Sequence, residues 1–178
     1  MAWQSPCALC CVKSLTAMAE GMENQMFSHV TVGTRDLERS ARFYDAVLVP
    51  LGLKRRIVSP DGGPAALCWV TAHAALPRFY VYSPFNGEPA TAGNGAMVAF
   101  LAPSIASVNI AYADGLAHGG RDDGSPGPRP HYGDGYYGAY LRDPDGNKVH
   151  IVHRADLHPS VREKSHTSEA RGTGFEII

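Results

Sequence analysis

Apolar and polar positions alternate with period two over residues 27–33. Val30 and Val32 fall on one face, and His29, Thr31 and Gly33 on the other. The period then lengthens to that of a helix, with Leu37, Ala41, Tyr44 and Leu48 in one stripe. Thr34 or Asp36 can cap this helix, and Pro50 and Gly52 end it. Strand patterns follow at 53–58, 65–72 and 78–83, the first two separated by the turn Ser59-Pro60-Asp61-Gly62-Gly63. Residues 86–95, rich in Gly, Pro and small side chains, predict a linker. The order then repeats: a strand at 96–102, a Ser104 cap, and a helix over 105–118 closed by Gly119-Gly120. Gly124, Pro126, Gly127 and Pro128 predict a long surface loop over 121–129, and 130–132 a short strand. A β-hairpin closes the pattern. Pro144 presets φ at its corner, and Asp145-Gly146-Asn147 tolerate positive φ. Each half therefore reads β-α-β-β-β, a repetition of element order with little identity of residues.

The alternation also assigns faces. Phe79 and Val81 alternate with Tyr80 and Tyr82; Val98 and Phe100 alternate with Met97, Ala99 and Leu101; Val149 and Ile151 alternate with His150 and Val152. Faces rich in Val and Phe are expected under the helices. The opposite faces then collect His29, Thr31, Tyr80, Tyr82, Met97, Ala99, Leu101 and His150 around one cavity.

Composition narrows the function classes. The formal net charge is −1, and no basic run suited to a phosphate backbone occurs, which argues against a nucleic-acid partner. No apolar run is long enough to span a bilayer, so no membrane partner is expected and the protein is placed in the cytoplasm. Cys7, Cys10 and Cys11 crowd the start, and Cys7 and Cys10 have CxxC spacing without a second ligand pair. Cys68 lies in an apolar run and reads as a buried core thiol. Residues 1–25 carry no core-forming periodicity and read as a disordered leader, and 155–178 as a C-terminal extension, polar to Ser168.

Three stretches stand out together: Phe27-Ser28-His29-Val30-Thr31-Val32 leading into Asp36-Leu37-Glu38-Arg39-Ser40-Ala41-Arg42-Phe43-Tyr44, the strand Val98-Ala99-Phe100-Leu101-Ala102-Pro103-Ser104, and the hairpin Asp143-Pro144-Asp145-Gly146-Asn147. In this order they resemble the vicinal oxygen chelate superfamily of glyoxalase I, extradiol dioxygenases and bleomycin-resistance proteins. The resemblance covers roughly 26–154 and implies an α+β fold: paired βαβββ modules, about 26–84 and 95–154, whose mixed sheets form a cleft. It also implies a homodimer and a small-molecule ligand or substrate. In the superfamily, four strands supply a His, then a Glu, Gln or His, then a His, then a Glu to a metal. Here His29 matches the first, Tyr80 or Tyr82 stands at the second, Met97 at the third and His150 at the last. Two imidazoles suit zinc, nickel or iron(II), whereas a thioether and a phenol are poor ligands for those ions. A divalent metal and an empty, degenerate site are both carried forward.

The other histidines carry less. His131 and Tyr132 are expected at the cleft mouth or simply at the surface. His153 should face away from the cavity, and His118 should serve a helix C-terminus. His158 and His166 lie in the polar tail. Asp143, Asp145 and Asn147 are accounted for by turn chemistry. The tyrosine-rich wall suits a flat aromatic or acyl ligand, or fills a collapsed barrel. Three functions follow: a metal-dependent lyase, isomerase or extradiol-type dioxygenase acting on vicinal oxygens; a metal-free protein that binds a small organic molecule; or a metal-free enzyme using His29, His150 or a tyrosine for acid–base chemistry.

Overall fold

The protein is described here by a computed structural model, over residues 26–58 and 62–157. The leader 1–25 and the extension beyond Leu157 lie outside the described residues. The first half contains β1 (His29–Gly33), α1 (Leu37–Leu48), β2 (Leu53–Arg56), β3 (Ala66–Thr71) and β4 (Arg78–Tyr82). The second contains β5 (Met97–Leu101), α2 (Ile105–Ala117), β6 (Arg121–Pro128), β7 (Tyr136–Arg142) and β8 (Lys148–Arg154). Each half closes a mixed four-stranded sheet, β1-β4-β3-β2 and β5-β8-β7-β6, with β1–β4 and β5–β8 parallel. The α+β architecture of two βαβββ modules is as the element order predicts.

Both helices begin as the sequence suggests. Asp36, rather than Thr34, caps α1 by accepting from the Arg39 amide at 3.0 Å, and Ser104 caps α2 through the Ser107 amide at 3.1 Å. The helices pack against each other and over one face of each sheet, so the two modules share one core. Phe43, Tyr44, Val47 and Leu48 of α1 meet Trp69, Phe79 and Val81 below, and α2 sets Val108 and Ala111 against Leu141, Val149 and Ile151. Phe79 and Phe100 join the halves edge to face at 5.0 Å. Fully burying each such side chain contributes about 1.5–3 kcal/mol. His153 lies on this helix side, its Nδ1 3.2 Å from the Ala102 carbonyl oxygen, as its place in the alternation requires.

One expectation fails. Residues 121–129 are not a loop: Arg121–Pro128 is the fourth strand of the second sheet, and Pro130–Tyr132 is a 3-10 turn rather than a strand. The prolines are tolerated because β6 is an edge strand, where an amide is dispensable. The glycines accompany two register shifts against β7. At Gly124, with φ +146°, a Cβ would stand 2.9 Å from the Tyr140 ring. Signals of a loop were thus signals of a bulged edge.

The closing hairpin does more than reverse the chain. Fully buried Asp143 accepts from the Asp145 amide at 2.9 Å, the Asn147 amide at 2.8 Å, Asn147 Nδ2 at 2.8 Å and the Tyr44 hydroxyl of α1 at 2.8 Å. Burial, and then the Asp143 carboxylate, push the Tyr44 phenol well above its ordinary range, so it stays a donor. Asp145 accepts from Thr34 Oγ1 at 2.6 Å and from Arg39 Nη2 at 3.0 Å, and Asn147 Nδ2 donates to the Gly33 carbonyl at 3.0 Å. The turn of the second module is therefore latched to the end of β1 and the start of α1.

Candidate functional site

The sheet faces turned away from the helices carry the candidate chemistry. On the first sheet, the parallel register places Thr31 beside Tyr80 and Gly33 beside Tyr82. His29 meets Tyr80 edge-on, ring centroids 5.8 Å apart, and Tyr80 lies 5.6 Å from Tyr82. The Tyr80 hydroxyl accepts from Arg78 Nη1 at 3.1 Å. His29 is exposed, with Nδ1 2.8 Å from Ser28 Oγ, which leaves Nε2 for a ligand. An open cleft of about 510 Å³ is lined by His29, Thr31, Gly33, Tyr82, Pro84 and Phe85, among others, all from the first half of the chain. Cys68 is buried as expected, but on this face, cross-strand from Tyr80, and not among the side chains packed under the helices.

The second sheet presents a different surface. His150, only 2% exposed, leans over β7, where Tyr136, Gly138 and Tyr140 share its face. Its ring stacks on Tyr140 at 4.3 Å and 14°, and lies 6.0 Å and 25° from Tyr136. The imidazole fits only because residue 138 has no side chain: a Cβ there would stand 2.6 Å from Nε2. That Nε2 is buried and has no hydrogen-bond partner among the described residues. Burial, then the positive charges of Arg129 and Lys148, push the His150 pKa down to about 4, so the ring is neutral at physiological pH. Met97, Ala99 and Leu101 lie exposed on neighbouring β5. We expect Gly138→Ala to displace the ring and cost about 1–3 kcal/mol. Urea unfolding would measure it, and a change within 0.5 kcal/mol, in the range of neutral surface substitutions, would mean the ring is not wedged.

The structure therefore brings His29, Thr31, Tyr80 and Tyr82 together on one sheet. It groups His150 with Tyr136 and Tyr140 on the other, where its ring leans toward β7 and not toward β5. Tyr136, Gly138 and Tyr140 are absent from the sequence-based candidates, although the hairpin pattern held the signal. Period-two alternation back from the turn puts all three on the face of His150. His131 lies tilted against Tyr132, ring centroids 4.1 Å apart, at the exposed end of this row of rings. His118 sits at the α2 C-terminus, Nδ1 2.8 Å from the Asp114 carbonyl.

The family model of the Glyoxalase/Bleomycin resistance protein/Dioxygenase superfamily matches residues 26–151. The chain belongs to this superfamily. It is 40% identical to a glyoxalase/bleomycin resistance protein from Albidiferax ferrireducens T118, over 73% of this chain and 99% of that one, with a TM-score of 0.62. A glyoxalase-related enzyme from Fulvimarina pelagi shares the fold at 22% identity and TM-score 0.55, over 74% and 89% of the two chains. So does the lactoylglutathione lyase of Agrobacterium tumefaciens, at 19% and 0.50, over 74% and 95%. No curated protein matches the chain.

Superfamily members often use divalent metals. The donor set of this chain fits one poorly. Among the described residues no three His, Cys, Asp or Glu side chains gather closely enough to hold an ion. His29 and His150 stand on different sheets, and Met97 offers only a thioether. No described helix is long and apolar enough to cross a membrane.

Proposed function

We propose that this superfamily member binds a small organic molecule against the outer faces of its sheets, with tyrosines and imidazoles in place of a complete metal site. The observation that carries this reading is the cleft of about 510 Å³ holding His29, Thr31 and Tyr82. Its size suits a drug-sized ligand, since such pockets run roughly 300–1,000 Å³. Aromatic walls supply contact area, and Nε2 of His29 supplies a directional hydrogen bond. A fragment screen by amide NMR should give ligands that shift Thr31 and Tyr82. If none moves these residues, the cleft is not a binding site.

A second reading is a metal-dependent lyase, isomerase or extradiol-type dioxygenase acting on vicinal oxygens. It is favoured by the two imidazoles at His29 and His150 on strands β1 and β8. Superfamily proteins are often dimers, and a homodimer covering the exposed edge strands β1 and β5 would give the two histidines a route to one site. Untagged protein is expected to carry less than about 0.1 equivalent of zinc, nickel or iron. A stoichiometric metal, lost in both His29→Ala and His150→Ala but kept in His153→Ala, would replace the first reading with the second.

A further inference from the structure

Cations outnumber carboxylates on the outer face of the second sheet. Arg142 Nε and Lys148 Nζ lie 3.1 and 3.0 Å from the same oxygen, Oδ2 of Asp123. Arg129 shares the Tyr140 ring with Lys148, its guanidinium 5.8 Å from the ring centre and Lys148 Nζ 4.8 Å from it. Two cations thus share one carboxylate. Arg129 has no carboxylate partner among the described residues. Nη1 donates to the Pro128 carbonyl at 3.2 Å and Nη2 to the Ser125 carbonyl at 2.9 Å. These bonds fix the half-buried guanidinium without neutralising it. The unpartnered Nε2 of His150 lies under the same stack.

Such an arrangement is costly unless something anionic completes it. Like charges held together repel, and a positioned guanidinium is matched in geometry to a carboxylate through two parallel hydrogen bonds. The rings of Tyr136 and Tyr140, with Leu101 on neighbouring β5, offer apolar surface beside the charge. We propose that this face recognises the carboxylate of a small organic acid, with Arg129 as the anion-reading residue and the Tyr136–Tyr140 surface receiving the acid's apolar body. The proposal rests on the reading that the outer sheet faces receive the ligand. It adds that the ligand is negatively charged and that the second sheet reads this charge.

Benzoate and benzamide, alike in shape but not in charge, separate the two claims. Each is titrated into the full-length protein at low salt and followed by amide NMR. Benzoate should bind at least about tenfold tighter than benzamide and shift β7 and β8 amides. Arg129→Met should remove that advantage, leaving benzamide unchanged. Arg129→Lys, which keeps the charge but loses the planar fork, should retain part of it. The melting temperatures of both variants report whether they fold. Equal binding of the two probes, or benzoate binding that survives in folded Arg129→Met and Arg129→Lys alike, would overturn the charge claim and leave the small-molecule reading standing. Silence from both probes on both sheets would overturn both.

Discussion

Asp143→Asn should destabilise the protein by roughly 3 kcal/mol, although the two side chains are nearly identical in shape. All four groups that bond the Asp143 carboxylate are donors: two backbone amides, Asn147 Nδ2 and the Tyr44 hydroxyl. An asparagine must point an NH₂ group at some of them. The site is fully buried, so water cannot compensate. Each buried donor left without an acceptor costs about 1–3 kcal/mol. Tyr44→Phe removes one donor and leaves the carboxylate three others, so it should cost only about 1–2 kcal/mol. Urea unfolding of the single variants and the double variant forms a cycle. Because Asp143 reaches across to α1, coupling near 1 kcal/mol is expected between the sites. A loss below 1 kcal/mol in Asp143→Asn would mean that the turn closes on its own and the inter-module bond is incidental.

This latch shows where sequence reasoning stops. Asp-Pro-Asp-Gly-Asn is fully explained as a turn, so nothing in the local pattern asks for a second role. The second role depends on which element lies 99 residues away in sequence but at 2.8 Å in space. Both described helices and seven of the eight described strands were legible, because periodicity and caps report on local geometry. The eighth strand was not. Proline and glycine mean loop in isolation, and only the sheet edge and the Tyr140 ring make them a bulged strand. The site divides the same way. His29, Thr31, Tyr80 and Tyr82 follow from alternation on two adjacent strands. The neighbours of His150 depend instead on its rotamer, which leans over Gly138, and alternation fixes a face but not that direction.

His150 should make the protein lose stability as the pH falls from 6.5 toward 4, apart from any loss due to carboxylates. Its ordinary pKa is 6.5, and in the fold it is pushed down to about 4. Between these values the unfolded chain takes up a proton that the folded chain refuses, so acid favours unfolding. Above 6.5 both forms are neutral and the full stability is present; below 4 both are protonated and this contribution stops changing. The limiting slope is about 1.4 kcal/mol per pH unit, so over this window the total is roughly 3 kcal/mol. The cause is local. Tyr136 and Tyr140 of β7 enclose the ring and exclude water, while Arg129, at the end of β6, and Lys148, on β8, place positive charge nearby; Arg154, farther along β8, is paired with Asp156. No carboxylate among the described residues is one of the groups that shift it. His150→Phe would keep an aromatic ring between the tyrosines and remove the titration. Whatever that change does at pH 7, its stability between pH 6.5 and 4 should fall less steeply than that of wild type. Denaturant unfolding at several pH values gives both slopes, and direct NMR titration of His150 gives the pKa. Parallel slopes, or an imidazole that titrates near 6.5, would show that the ring is hydrated in solution and that the stack around it is open.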